Sequence, residues 1–79
     1  MTIIVTLPKT GDTADTVVLL EWLAVPGDRV ADGQPLVRVE TAKVEVEIPA
    51  PAAGTLLAQL AAVDDEVAVG DPLAEIDPD

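Results

Sequence analysis

The chain has 79 residues, of which 15 are acidic and four are basic, so its formal net charge is −11 at pH 7. It contains no Cys and no His, which excludes disulfides, thiolate or histidine catalysis and Cys/His metal sites. So negative a charge disfavours nucleic acid and anionic membrane surfaces as partners. No apolar run approaches the ~18 residues of a membrane span, and no signal peptide is visible. We expect one small, acidic domain in the bacterial cytoplasm, or in the mitochondrial matrix if the chain is a processed fragment.

Short strands account for the chain better than helices do. Prolines interrupt it at positions 8, 26, 35, 49, 51, 72 and 78, and they leave few gaps long enough for a helix. The first strand is "TIIVTLP", residues 2–8. The longest uninterrupted candidate for a helix is 54–69, but its β-branched residues favour strand. We predict about eight short strands, which is typical of a sandwich or barrel.

The two halves of the sequence repeat each other. Leu19 and Leu56 lie 37 positions apart, and the same shift aligns eight further identical pairs. These are Leu20/Leu57, Leu23/Leu60, Asp28/Asp65, Val30/Val67, Ala31/Ala68, Gly33/Gly70, Pro35/Pro72 and Leu36/Leu73. Each half has an apolar segment (17–25, 54–62), a Gly-x-Pro turn and a strand (36–41, 73–77). Two repeats are too few for a solenoid, so we predict a closed pair with approximate two-fold symmetry.

The stretch "VETAKVEVEIPAP", residues 39–51, predicts a hairpin because apolar and charged residues alternate on both sides of its centre. Ala42 and Lys43 are the predicted central turn residues, although the turn lacks the Asn-Gly that short loops prefer. The predicted inward pairs are Val39–Val46 and Val37–Ile48, with Val44 on the same side. The predicted outward pairs are Arg38–Glu47 and Glu40–Glu45, and Thr41–Val44 closes the turn.

This hairpin places Lys43 at an exposed, acidic tip. A catalytic lysine needs an apolar pocket, which such a tip does not provide. The geometry suits covalent attachment to an accessible amine, while the residues alone leave open a simple solvated surface charge.

The phrase "E-T-A-K-V", residues 40–44, resembles the lipoyl-lysine motif of lipoyl domains from the acyltransferase (E2) components of 2-oxo acid dehydrogenase complexes. Gly27 and Gly54 stand sixteen residues before and eleven after the lysine, as in that family. "W-L-x-x-x-G-D-x-V" from Trp22 and "V-G-D-P-L" from Val69 match it as well. The resemblance covers residues 1–77, and 78–79 is expected to begin a linker within a longer E2. It implies an all-β fold, a flattened barrel or sandwich of two four-stranded antiparallel sheets.

The resemblance implies a non-catalytic carrier that bears lipoate, amide-linked to Lys43. The residues expected to be recognised around it are Glu40, Thr41, Ala42, Val44 and Glu45, and Gly27 and Gly54 are expected to be structural. The implied partners are a lipoate ligase or lipoyl transferase, a thiamine-diphosphate-dependent E1, the E2 catalytic core and a flavin-dependent E3. No metal is implied, and the isolated domain is expected to be monomeric.

Two departures from the family pattern leave alternatives open. Ala42 stands where many lipoyl domains have Asp, so the identity of the partner enzyme stays open. An alanine at this position favours branched-chain complexes. Asp64-Asp65 replaces a Gly-Asp turn, and we expect this to alter the loop without affecting function. A biotinyl carrier domain shares the fold, but its lysine typically lies between two methionines. An unmodified binding module is the third possibility.

Three further expectations concern positions away from the hairpin. Trp22 aligns with Gln59 in the repeat, so we expect it at the edge of the core. Lys9 is expected to be a surface charge. The loop 9–15 is a candidate for partner recognition because the corresponding family loop lies near the attachment hairpin.

Overall fold

The computed structural model describes residues 1–9 and 16–78, which form eight strands in two antiparallel sheets. They are β1 Ile3–Thr6, β2 Thr16–Trp22, β3 Arg29–Val30, β4 Pro35–Glu40, β5 Glu45–Pro49, β6 Gly54–Gln59, β7 Glu66–Ala68 and β8 Pro72–Pro78. No helix long and apolar enough to cross a membrane occurs within these ranges. The secondary structure of the described residues consists of these eight strands and no helix, so the all-β prediction is confirmed.

The strands form a sandwich. One sheet has the order β1-β8-β6-β3 and the other the order β5-β4-β2-β7. Among the described residues, hydrogen-bonded strand pairs stay within one sheet, so the sandwich alternative describes the fold better than a closed barrel. The first repeat gives its long strands β2 and β4 to one sheet and its short strand β3 to the other, and the second repeat gives β6 and β8 to one sheet and β7 to the other. This exchange interlocks the halves.

The predicted two-fold symmetry is present down to individual hydrogen bonds. A shift of 37 residues carries the bond from the Leu23 amide to the Leu36 carbonyl onto the equivalent bond from Leu60 to Leu73, and both measure 2.8 Å. Side chains follow the same rule. The Trp22 indole Nε1 donates to the Ala61 carbonyl at 3.1 Å. The Gln59 amide Nε2, its repeat mate, donates to the Ala24 carbonyl at 3.0 Å.

Between the sheets lies a core of aliphatic side chains, and repeat mates occupy equivalent places in it. The largest fully buried side chains are Leu7, Leu19, Leu36, Leu56, Leu73, Ile76, Val37 and Val39. Trp22 is partly buried and packs against this cluster, which confirms its predicted place at the edge. Burial of apolar area contributes about 25 cal/mol per Å², so this thin layer supplies the main stabilising term.

The turn at Asp64 corrects one prediction. Asp64 has a φ of 74°, and its repeat mate Gly27 has a φ of 98°. The Asp64 amide donates to the Leu19 carbonyl at 2.8 Å, and the Gly27 amide donates to the Leu56 carbonyl at the same distance. The expectation that Asp64 alters the loop was wrong, because an aspartate tolerates the left-handed conformation better than most residues. The backbone of this turn is therefore alike in the two halves. Aspartate in place of glycine adds conformational strain at this position.

Gly54 is required for a different reason. It begins β6 directly beside β8, where a Cβ atom would overlap the Asp77 carbonyl oxygen and lie 2.9 Å from the Ile76 side chain. Gly27, in contrast, has open space where its Cβ would be, and its positive φ is what favours glycine. Both glycines that the resemblance marked as structural therefore have structural reasons. Gly54 lies on β6, in the sheet that does not contain the hairpin, and Gly27 lies in the turn before β3, where its amide bonds to Leu56 of β6.

Candidate functional site

The β4–β5 hairpin has the predicted register. Val37 pairs with Ile48, Arg38 with Glu47, Val39 with Val46 and Glu40 with Glu45. The Thr41 amide donates to the Val44 carbonyl at 2.8 Å, so Ala42 and Lys43 are the central turn residues. This register follows from the sequence because a shift by one residue would turn the buried valines towards solvent.

Val44 does not lie where the alternation placed it. Its side chain is 52% exposed, whereas Ile48 on the same strand is 2% exposed. β5 begins only at Glu45, and Val44 belongs to the turn, beyond the edge of the packed sheets. The period-two pattern therefore extends one residue past the strand, and the predicted inward orientation of Val44 was wrong.

The turn is braced by a side chain. The Thr41 hydroxyl accepts hydrogen bonds from the amides of Lys43 at 3.2 Å and Val44 at 3.0 Å. It donates to the Val44 carbonyl at 3.0 Å. Asp64 is the only described non-glycine residue with a positive φ, so Ala42 and Lys43 keep negative φ. The loop is therefore not one of the primed turns that match strand twist, which explains why Asn-Gly is absent.

The remaining side chains around the tip are open to solvent. Glu40, Ala42, Lys43 and Glu45 are all exposed, and together with Thr41 and Val44 they line a shallow surface depression. The five residues that the resemblance marks around the lysine thus lie beside it at the tip. Nothing in the described part of the chain covers the amine.

Arg38 organises the charges further down the hairpin. Its guanidinium lies 2.9 Å from a Glu21 carboxylate oxygen on β2 and 3.5 Å from one of Glu47 on β5. These exposed pairs contribute little to stability. They leave Glu47 with a cationic partner, while Glu40 and Glu45 at the tip face each other.

The second lysine and its loop are separate from the hairpin in sequence. Lys9 is exposed, as predicted. Most of the candidate recognition loop 9–15 lies outside the described residues, so its predicted role stays a prediction. The sequence does not predict the Thr41 brace, because a threonine beside a turn gives only a weak signal, the tendency of its hydroxyl to bond to nearby backbone.

A two-fold β-sandwich whose hairpin presents one lysine at its tip defines the lipoyl/biotinyl class of small domains. The biotin/lipoyl family model, described as "Biotin-requiring enzyme", matches residues 4–76. The chain belongs to this family.

Individual relatives agree with this assignment. The chain is 42% identical, over 91% of its own length, to the dihydrolipoyllysine-residue acetyltransferase component of the pyruvate dehydrogenase complex of Corynebacterium glutamicum. It spans only 11% of that relative.

Solved structures show the same fold. The lipoyl domain of the 2-oxoglutarate dehydrogenase complex of Azotobacter vinelandii has a TM-score of 0.75 and 25% identity, with 95% of each chain covered. The urea carboxylase of Kluyveromyces lactis has a TM-score of 0.83 at 24% identity, with 96% of this chain and 6% of that chain covered. At that identity the second likeness concerns the fold alone.

Proposed function

We propose that this chain is a swinging-arm carrier in which lipoate is joined by an amide bond to the side-chain amine of Lys43. The observation that carries the proposal is the hairpin tip, where an exposed lysine stands on a turn that a buried hydroxyl braces. An exposed amine on a fixed backbone suits enzymatic acylation, because the modifying enzyme meets one conformation and no covering residue has to move.

The residues around the tip fit a lipoyl group. Ala42 and Val44 on either side of Lys43 are small enough to leave the amine accessible, and both are exposed. When bound, lipoate supplies a dithiolane that takes up an acyl group and two electrons. The protein would supply presentation, and the tether would raise the effective concentration of the group at each partner's active site.

The partners in this proposal are a lipoate ligase or lipoyl transferase, a thiamine-diphosphate-dependent E1, an E2 catalytic core and a flavin-dependent E3. The Corynebacterium relative belongs to a pyruvate dehydrogenase complex. Pyruvate is therefore the first 2-oxo acid to test, and the branched-chain acids suggested by Ala42 are the second. The net charge of −11 would favour brief, salt-sensitive contacts with basic patches on these enzymes.

Two parallel reactions, one with each possible cofactor, test the proposal. The chain is incubated with lipoate, ATP and a lipoate ligase, and in parallel with biotin, ATP and a biotin ligase, and intact mass is recorded. We expect a single lipoyl increment and no biotinyl increment, because Lys43 lacks flanking methionines. A biotinyl increment alone would assign the domain to a carboxylase, and no increment in either reaction would leave an unmodified binding module.

The lipoylated chain then identifies the acyl group. We expect reductive acylation by an E1 that uses pyruvate to be faster than by an E1 that uses branched-chain 2-oxo acids. The opposite order would support the preference suggested by Ala42.

A further inference from the structure

Thr41 is unusual among the polar residues of the protein. It directly follows β4, two residues before Lys43, yet its relative exposure is only 6%. Among the described residues it is the one polar residue that is buried. Its immediate neighbours Glu40 and Ala42 are exposed. A buried hydroxyl at an otherwise exposed tip needs a hydrogen-bonding explanation.

All the hydrogen-bonding sites of the Thr41 hydroxyl are used. A threonine hydroxyl has one donor and two acceptor sites. The donor is used by the Val44 carbonyl, and the acceptors are used by the amides of Lys43 and Val44. In an ordinary β-turn the amide of the fourth residue donates to the carbonyl of the first. Here the Val44 amide donates to the Thr41 side chain, so one hydroxyl holds both backbone units that follow Ala42.

The turn needs this support. A two-residue loop with negative φ at both central positions does not match the twist of its strands, and Ala-Lys has no intrinsic preference for a tight turn. Without the hydroxyl, the backbone of Lys43 would keep only the Thr41–Val44 backbone bond as a constraint. The lysine amine would then be presented from several turn conformations.

We propose that Thr41 is the positioning residue of the attachment lysine: its buried hydroxyl fixes the Lys43 backbone and so selects the conformation that the lipoylating enzyme binds. The inference rests on the proposed function of Lys43. Thr41 acts on the lysine through the backbone of the turn, since its hydroxyl bonds to backbone atoms of Lys43 and Val44. A variant that populates the binding-competent turn only fractionally binds the enzyme more weakly by that fraction.

The test compares Thr41→Val with Thr41→Ser in steady-state lipoylation by a lipoate ligase. Valine keeps the β-branched shape and removes the hydroxyl, whereas serine keeps the hydroxyl. We expect Thr41→Val to raise the KM for the domain about tenfold and to leave kcat within about twofold. Thr41→Ser should restore the KM to within about threefold of wild type. Thr55→Val, on β6 in the other sheet, is the matched control and should behave as wild type.

Amide hydrogen exchange of the unmodified wild-type chain gives a readout that needs neither lipoylation nor a folded variant. We expect the amides of Lys43 and Val44 to exchange at least tenfold more slowly than that of Ala42. Unprotected Lys43 and Val44 amides, a wild-type KM in Thr41→Val, or a Thr41→Ser variant as impaired as Thr41→Val would each overturn the proposal. If wild type is not lipoylated at all, the proposed function fails, while the exchange pattern still reports on the brace.

Discussion

Glu40 and Glu45 face each other across the strands that carry Lys43, and their arrangement makes a residue-scale prediction about recognition. Like charges directly opposite on neighbouring strands repel, typically by tenths of a kcal/mol. Amide formation removes the lysine charge and leaves the tip more acidic. If the ligase and E1 bind this acidic tip, Glu40→Gln should slow lipoylation or reductive acylation a few-fold at low salt.

Glu47→Gln is the matched control for that experiment, because Glu47 lies farther down the same hairpin and pairs with Arg38. It should have a smaller effect. The difference between the variants should shrink as salt rises, since the Debye length falls to about 8 Å at physiological ionic strength. Equal rates for both variants at low salt would mean that the tip glutamates are solvated strand residues with no part in recognition.

Among the strands and turns, glycine is required at Gly54 and at Gly27 for two different reasons. Gly54→Ala drives a Cβ into the backbone of β8, and overpacking of this kind costs about 1–3 kcal/mol or more. Gly27→Ala meets open space and carries only the left-handed conformational penalty of about 1–2 kcal/mol. We expect both thermal midpoints to fall, with the larger fall for Gly54→Ala. The reverse order in thermal unfolding would show that β6 and β8 separate more easily than the contact implies.

Asp64 allows the opposite experiment. Its φ of 74° is one that glycine adopts freely, so Asp64→Gly relieves strain while it adds flexibility to the unfolded chain. We expect a net stabilisation of up to about 1 kcal/mol, which corresponds to a rise in midpoint of at most about 8 °C in a domain of this size. The reciprocal change Gly27→Asp should lower the midpoint. A fall in midpoint for Asp64→Gly would indicate that the Asp64 side chain stabilises the turn.

Across the whole molecule, the structural features that correspond to the sequence repeat and to the alternation of apolar and charged residues could be predicted. Leu19 and Leu56, and Leu36 and Leu73, align in the two halves because both pairs fill the core, and the alternation around Lys43 fixes the hairpin register. Those signals depend on burial, which leaves a periodic trace in the chain.

Other features leave no such trace. The outward orientation of Val44 depends on where β5 begins, and the first residue of a strand is decided by packing rather than by the alternation. The shared loop geometry of Gly27 and Asp64 depends on backbone dihedrals that two residue types can adopt. The Thr41 brace depends on the position of one hydroxyl relative to the following amides, and a sequence does not specify such distances.

The proposed function depends most directly on Lys43 as the residue that bears the lipoyl group. The chain has only two lysines, so Lys43→Arg and Lys9→Arg form a matched pair that keeps the net charge unchanged. Because both positions are exposed, each variant should unfold within about 4 °C of wild type. After incubation with lipoate, ATP and a lipoate ligase, intact mass should show a lipoyl increment on wild type and Lys9→Arg and none on Lys43→Arg. An increment that persists in Lys43→Arg and disappears in Lys9→Arg would place the lipoyl group on Lys9 and overturn the assignment.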